Sequence, residues 1–247
     1  MNVSLYQAAA AMNAHSRWQE LIAENLAASS TPGFKKNNIS ISATESGKFV
    51  LPGGQKATYA LPSATAVTSF TPGEIKASNG RTDVAIDGAG MFEIQLPDGS
   101  MAYTRDGEFQ VNTQGQMMTK QGHLVMGQGG PIQLDPRNPA PPSISASGDV
   151  SQGTDNKGRI HIVEFADPKV LETAGGGYFK PKDPSIAPRD VAQPSVRQGF
   201  LEMANTSPVT EMASLITVMR SFEANQKVIQ MQDDRMGKAI SELTATS

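Results

Sequence analysis

Apolar residues recur at alternating steps of three and four at both ends of the chain, and at steps of two through much of its middle. Toward the C-terminus the stepped positions are Met212, Leu215, Met219, Phe222, Gln226, Ile229, Asp233, Met236, Ile240 and Leu243, eight of them apolar. Toward the N-terminus they are Leu5, Ala8, Met12, His15, Gln19, Ile22 and Leu26, five of them apolar. Each series places its members on one seam of a helix, and two such seams predict ends that meet as a coiled coil. Gln226 and Asp233 interrupt the seam, and polar residues at such positions select register or partner. Neither helix carries enough apolar surface to persist alone, so both ends are expected to order on assembly.

Punctuation along the chain sets the boundaries. A first helix is expected from about Ser4 to Ala28, ended by Ser29-Ser30-Thr31-Pro32-Gly33, because Pro cannot continue a helix and Gly takes left-handed dihedrals without penalty. The last helix is expected to start at Pro208, with Ser207 as N-cap and Glu211 in the first turn. Between them, turn signals at Asp87-Gly88, Asp98-Gly99, Asp106-Gly107 and Gln114-Gly115 separate short alternating runs, among them Val84–Ile86, Phe92–Leu96, Met101–Thr104 and Phe109–Val111. That rhythm predicts hairpins in an antiparallel sheet. Ile144–Val150, Arg159–Phe165 and Tyr178–Lys180 are further strand candidates, after a Pro-rich turn from Asp135 to Pro142. The expected architecture is α+β: long N- and C-terminal helices paired as a coiled coil, with a central antiparallel all-β domain. The expected divisions are residues 1–35 for the first helix, 36–81 for an extended connector with short strands, 82–200 for the β domain and 201–247 for the last helix.

Composition narrows the function classes. The formal net charge of -3 on 247 residues, with 18% charged side chains of both signs, supplies no basic field for nucleic acid and no polybasic membrane patch. The absence of Cys removes disulfides, thiol catalysis and thiolate metal sites. The start, Met1-Asn2-Val3-Ser4, has neither the basic nor the apolar region of a cleaved signal peptide, and no stretch is apolar for long enough to span a bilayer. His15, His123 and His161 are isolated, without ligand spacing, and are expected to be structural or surface groups rather than metal ligands. Gly88-Ala89-Gly90 resembles part of a nucleotide loop but sits between strands and opens no helix, so a hairpin turn accounts for it. No nucleophile, base and oxyanion donor converge, so no enzyme, no cofactor and no small-molecule substrate are expected.

Five blocks in order carry a family resemblance. Asn25-Leu26-Ala27 followed by Thr31-Pro32-Gly33-Phe34-Lys35 resembles the N-terminal signature of the bacterial flagellar axial proteins, the rod, hook and hook-associated family. Ala28 stands where that family usually has Asn. Asp83-Val84-Ala85-Ile86-Asp87-Gly88-Ala89-Gly90-Met91-Phe92 is similar to its next block, with Met91 in place of an aromatic, and Tyr103-Thr104-Arg105-Asp106-Gly107-Glu108-Phe109 matches a third. Gln198–Glu202 with Asn205, then Glu211-Met212 and Arg220-Ser221-Phe222-Glu223, resemble the approach to the family's last helix, with Thr206 where Val is common. Within the family, the short connector from Lys35 to Asp83 and the phrase Gly122–Ile132 favour the proximal over the distal rod, and the chain lacks the larger middle region of hook proteins.

The resemblance implies a structural subunit of the flagellar basal-body rod, in the periplasmic space, polymerising into a hollow helical tube that carries torque from motor to hook. Implied partners are other copies of the chain, other rod and hook axial proteins and the flagellar type III export apparatus, which fits export without a cleaved signal. The assembly interface is then expected at the seams, Leu5, Met12, Ile22, Leu26, Met212, Leu215, Met219, Phe222, Ile229, Met236, Ile240 and Leu243. Asn25, Leu26, Ala27, Gly33, Phe34, Tyr103, Arg105 and Gly107 are the family-motif positions, of which Asn25, Gly33 and Phe34 are expected to shape the turn below the first helix. A secreted β-domain adhesin trimerised by its helices is the alternative from another class, but it has no need of the Asn25–Phe34 or Arg220–Glu223 blocks.

Overall fold

The structure, a computed structural model, describes residues 3–50 and 56–245. The chain divides into two compact units. One comprises Met1–Ala27, Asn37–Thr68 and Ser207–Ser247, the other Ala28–Lys36 and Ser69–Thr206, so each is gathered from stretches distant in sequence.

In the first unit, α1 (Val3–Ala27) and α2 (Pro208–Ala245) accompany a two-stranded antiparallel ribbon of Asn37–Val50 and Lys56–Thr68. α2 opens where its sequence dictates: Pro208 is the first helical residue, where a missing N–H costs nothing, and the Glu211 N–H donates to the Ser207 carbonyl at 3.0 Å. The ribbon's register runs from Asn37 opposite Thr68 to Val50 opposite Lys56, with an irregularity between Glu45 and Gly47. Where short strands were expected in residues 36–81, two long ones occur. Their Ser, Ala and Thr content leaves little period-two signal, because the two strands satisfy each other's backbone groups while burying few large side chains.

The expected coiled coil of paired ends is corrected by this unit. Met212, Met219 and Met236 of the anticipated seam are 52%, 48% and 42% exposed, whereas Glu211 and Val218, off that seam, are buried at 4% and 0%. α1 contacts the ribbon strand Lys56–Thr68 as well as α2. A coiled coil needs one partner facing every seam position; here α1 divides its surface between a helix and a ribbon, and the expected α2 line is covered only in part, at half-buried Leu215, Phe222 and Ile229. The α+β description built on a coiled-coil domain therefore gives way to a mostly β chain with one helix at each end.

The second unit is built on an antiparallel sheet. Its strands run in the order Leu171–Gly175, Tyr178–Pro181, Met101–Thr104, Met91–Gln95, Leu124–Gly127, Met117–Thr119 and Phe109–Val111. The expected run Ile144–Val150 is divided: Pro142–Ile144 and Asp149–Gln152 are separate paired strands, with Gly148 at φ +82° in the turn. The main core gathers Val84, Ile86, Phe92, Phe109, Met117, Val125, Ile132, Ile160 and Ile162, and a second cluster joins Met91, Tyr103, Val163, Leu171 and Phe179. Phe92 and Phe109 meet edge to face at 5.1 Å, the arrangement their ring quadrupoles favour. Phe92 is fully buried, and Phe92→Ala is expected to cost about 3–5 kcal/mol of unfolding free energy, measured by urea melts followed by circular dichroism.

Candidate functional site

In the β unit, Glu202 closes the strand Phe200–Glu202, which pairs with Ile75–Ala77. Its side chain is only 2% exposed. Oε1 accepts from Lys35 Nζ at 2.5 Å and from the Gly73 N–H at 2.9 Å, while Oε2 accepts from an Arg105 guanidinium nitrogen at 3.1 Å. Lys35 Nζ also donates to the Thr71 carbonyl at 2.9 Å, and Arg105 to the carbonyls of Gly88 at 2.6 Å and Ile86 at 3.4 Å. Burial pulls the pKa values of both cations down, opposed in each case by the Glu202 carboxylate. Such a network adds little net stability, but removing its anion would leave two buried cations unpaired.

The Thr31–Lys35 segment is held there by its backbone as well. The Gly33 N–H donates to the Glu202 carbonyl at 2.7 Å. Gly33 sits at φ +67°, and a Cβ on it would lie 2.1 Å from the Asp106 nitrogen and 2.3 Å from the Arg105 carbonyl carbon. Gly is therefore required twice over, for the dihedral and for the close approach. At Gly107 the demand is spatial alone: a Cβ would lie 1.6 Å from the Val84 carbonyl oxygen. Asn205 completes the attachment, its Oδ1 accepting from the Lys36 N–H at 2.7 Å and its Nδ2 donating to the carbonyls of Ser69 at 2.8 Å and Thr71 at 3.0 Å. Burial, with Glu108 and Asp83 nearby, pushes the Asp106 carboxyl up to about 6 against the Glu108 N–H that it accepts and the Lys120 ammonium.

The helical unit has its own polar tie. Asn25, 2% exposed near the end of α1, accepts from the Asn37 N–H at 2.9 Å and donates to the Asn37 carbonyl at 2.8 Å. Its side-chain amide thus pairs with the first ribbon residue as a neighbouring strand would. The same Nδ2 lies 3.5 Å from Glu211 Oε2 in the first turn of α2, so one amide links α1, the ribbon and α2.

The motif residues divide between these two places. Gly33 and Arg105 come together with Glu202 in the β unit, the Phe34 carbonyl accepts from the Asn205 N–H at 3.3 Å, Gly107 lies against Val84, and Asn25 serves the helical unit. Tyr103 is buried in the second core cluster, its hydroxyl donating to Glu93 at 3.3 Å, and burial raises its pKa to about 12. Leu26 is half-buried and Ala27 exposed. Of the seam, Ile22 is buried, Met12, Leu215, Phe222 and Ile229 are half-buried, and Leu5, Ile240 and Leu243 lie outside the described side chains. The exposed apolar line along α2 instead runs Val209, Met212, Ile216 and Met219, steps of three and four on one side of the helix. Sequence reasoning missed Lys35, Glu202 and Glu211 as buried partners and Asn205 as a half-buried one, although each lies inside a quoted motif, where a charge or amide amid apolar neighbours was the available sign. A cleft of about 290 Å³ lined by Phe70, Met91, Phe165 and Pro168 is edged by Arg105, but that guanidinium is spent on Glu202 and two carbonyls. The arrangement is suited to clamping chain segments together.

Glu202→Gln, which leaves Lys35 and Arg105 buried without their counter-charge, is expected to lower unfolding free energy by about 3–5 kcal/mol in urea melts. Asp106 generates a pH dependence of the opposite sense to an ordinary salt-bridged carboxylate. Its folded pKa lies above the unfolded one, so its contribution is full below about pH 4 and is lost as pH rises through 6. Asp106→Asn is therefore expected to stabilise the protein at about pH 8 by about 2–3 kcal/mol, with no gain near pH 4, in melts at the two pH values.

Residues 85–152 match the family described as flagellar hook protein FlgE/F/G D1 domain, and residues 197–242 the family described as flagellar basal body rod FlgEFG protein C-terminal. The chain is 33% identical to flagellar basal-body rod protein FlgF of Mesorhizobium japonicum over 100% of both chains. It is 34% identical to flagellar basal-body rod protein FlgG of Borreliella burgdorferi over 96% of this chain and 97% of that one. With FlgF of Salmonella typhimurium the identity is 33%, over 97% of each. The Lys35–Glu202–Arg105 clamp joins residues inside and outside the two matched stretches, and the likeness covers the whole length; the chain belongs to the flagellar basal-body rod proteins of the FlgF and FlgG kind.

Proposed function

We propose that this chain acts as a structural subunit of the bacterial flagellar basal-body rod, in its proximal segment. The observation that carries the reading is likeness over the full length to proteins named as rod proteins. Alignment lengths favour the proximal assignment. The alignment to Borreliella FlgG runs over 262 positions, more than the 247 residues available, so that relative carries inserted residues, whereas the Mesorhizobium FlgF alignment runs over 248.

The subunit's work is mechanical. Repeated head-to-tail contacts between identical surfaces generate a helical tube, and torque passes through its interfaces without any bond being made or broken. The exposed line Val209, Met212, Ile216 and Met219 supports α2 as a surface covered by neighbouring subunits or other axial proteins, since an apolar stripe of this length on a lone subunit is left in water. Export through the flagellar type III apparatus and residence in the periplasmic part of the basal body complete the reading. The family's named members are structural proteins, and the buried charges found here serve the fold.

Met212→Glu with Met219→Glu separates assembly from folding. Both side chains are exposed, so the isolated protein is expected to keep its stability within about 0.5 kcal/mol. Swimming in a strain that depends on this chain is expected to be lost. Removal of residues 209–247 is expected to abolish motility as well; a truncated chain that still supports swimming rejects the rod reading. A tag on the subunit in isolated basal bodies is expected next to the export gate, and a tag found next to the hook rejects the proximal assignment.

A further inference from the structure

His161 was expected to be an isolated structural or surface group, and in the β unit its ring lies between two carboxylates. Nδ1 is 2.5 Å from Glu93 Oε2 and Nε2 is 2.9 Å from Asp190 Oδ1. The backbone holds the ring in place from two sides: the His161 N–H donates to the Met126 carbonyl at 2.9 Å, and its carbonyl accepts from the Glu93 N–H at 3.2 Å. His161 precedes the strand Ile162–Glu164, which pairs with Met91–Gln95 on one side and with Arg189–Asp190 on the other. The ring therefore bridges both neighbours of that strand.

The two carboxylates differ in what they hold. Glu93 is 13% exposed on a core strand, and it also accepts from the Tyr103 hydroxyl. Asp190 is 71% exposed and belongs to the segment between Pro181 and Val196, which contains Pro184, Pro188 and Pro194. That segment returns to the sheet at one short pairing, where Val163 lies opposite Asp190 and Glu164 opposite Arg189. The Val191 N–H donates to the Ile162 carbonyl at 3.1 Å and its side chain rests partly buried on the main core. By strand alternation, Glu164 and Arg189 project on the face opposite to His161 and Asp190, so the charged groups facing the imidazole are Glu93 and Asp190.

We propose that His161 is a pH-responsive latch: as imidazolium it holds the Pro-rich segment 183–195 against the strand Ile162–Glu164, and on losing a proton it releases Asp190 while keeping Glu93. An imidazolium donates from both nitrogens, whereas neutral imidazole has one N–H and presents a lone pair to the other carboxylate. The remaining proton stays on Nδ1, because Glu93, 13% exposed, has lost most of its water and the exposed Asp190 recovers its own at little cost. Partial burial favours the neutral ring, but the two carboxylates outweigh it and raise the His161 pKa. The sign follows: the latch is complete below the unfolded-state pKa and is lost as pH rises through the higher folded value.

The test uses the full chain. Amide hydrogen exchange at Val191, corrected for intrinsic exchange, is compared at about pH 5.5 and about pH 8.5 while the His161 ring is titrated by NMR. Protection is expected to fall roughly tenfold across the His161 titration, the loss of one charge-assisted hydrogen bond. Asp190→Ala, at an exposed position that leaves the core intact, is expected to give low protection at both pH values. His161→Gln is expected to remove the pH dependence as well. Wild-type protection that stays constant through the His161 titration, or an Asp190→Ala profile identical to wild type, overturns the latch.

Discussion

Glu202 is a carboxylate almost without water, and the β unit is arranged around what that requires. A buried anion needs a counter-charge and a hydrogen-bond donor for each exposed lone pair, and here Lys35, Arg105 and the Gly73 N–H supply them. Those donors come from segments around residues 35, 73 and 105, so satisfying one charge brings distant parts of the chain to one point. The cations impose demands in turn, met by the carbonyls of Thr71, Ile86 and Gly88. The segment carrying Lys35 to Glu202 also runs close beside the backbone of Arg105 and Asp106 at Gly33. Burial energy comes mainly from the Phe92–Phe109 core; the ionic clamp ties the segments around residues 35, 73 and 105 to the end of one strand.

The helical unit solves a similar problem without charge pairing. Asn25 presents an amide to the backbone of Asn37 and so starts the ribbon on α1, while Glu211 meets the same amide from the first turn of α2. With α1 divided between a ribbon and a helix, no single heptad seam can serve both contacts, and methionines on the far side of α2 stay exposed. The inner faces define the unit, and the apolar line Val209, Met212, Ile216 and Met219 stays exposed.

Much of the β unit was legible because its strands are short and bounded by Asp-Gly turns. Gly99 takes the positive φ of a hairpin turn between Met91–Gln95 and Met101–Thr104, and Val84–Ile86, Met101–Thr104 and Phe109–Val111 occur where the alternation placed them; the turns at Asp87-Gly88 and Asp106-Gly107 close no hairpin, because Val84–Ile86 pairs with Val196–Gln198 and Phe109–Val111 with Met117–Thr119. Both helices, with the stop before Gly33 and the start at Pro208, were legible for the same reason, since capping chemistry acts within a few residues. The ribbon was not. Its strands lack large alternating side chains, and pairing between residues as far apart as Asn37 and Thr68 leaves no local trace.

The sequence by itself determined both helices, most short strands of the β unit and, through its motif blocks, the family, because each depends on residues close together or on their order along the chain. Only the tertiary structure decided which face of α2 is buried, that Glu202 is the common partner of Lys35 and Arg105, and that His161 stands between Glu93 and Asp190. Periodicity specifies a stripe on a helix but not what covers it. An ion pair between residues 167 positions apart exists only once the backbone has brought them together, and whether a charged side chain is solvated or buried is settled by its surroundings.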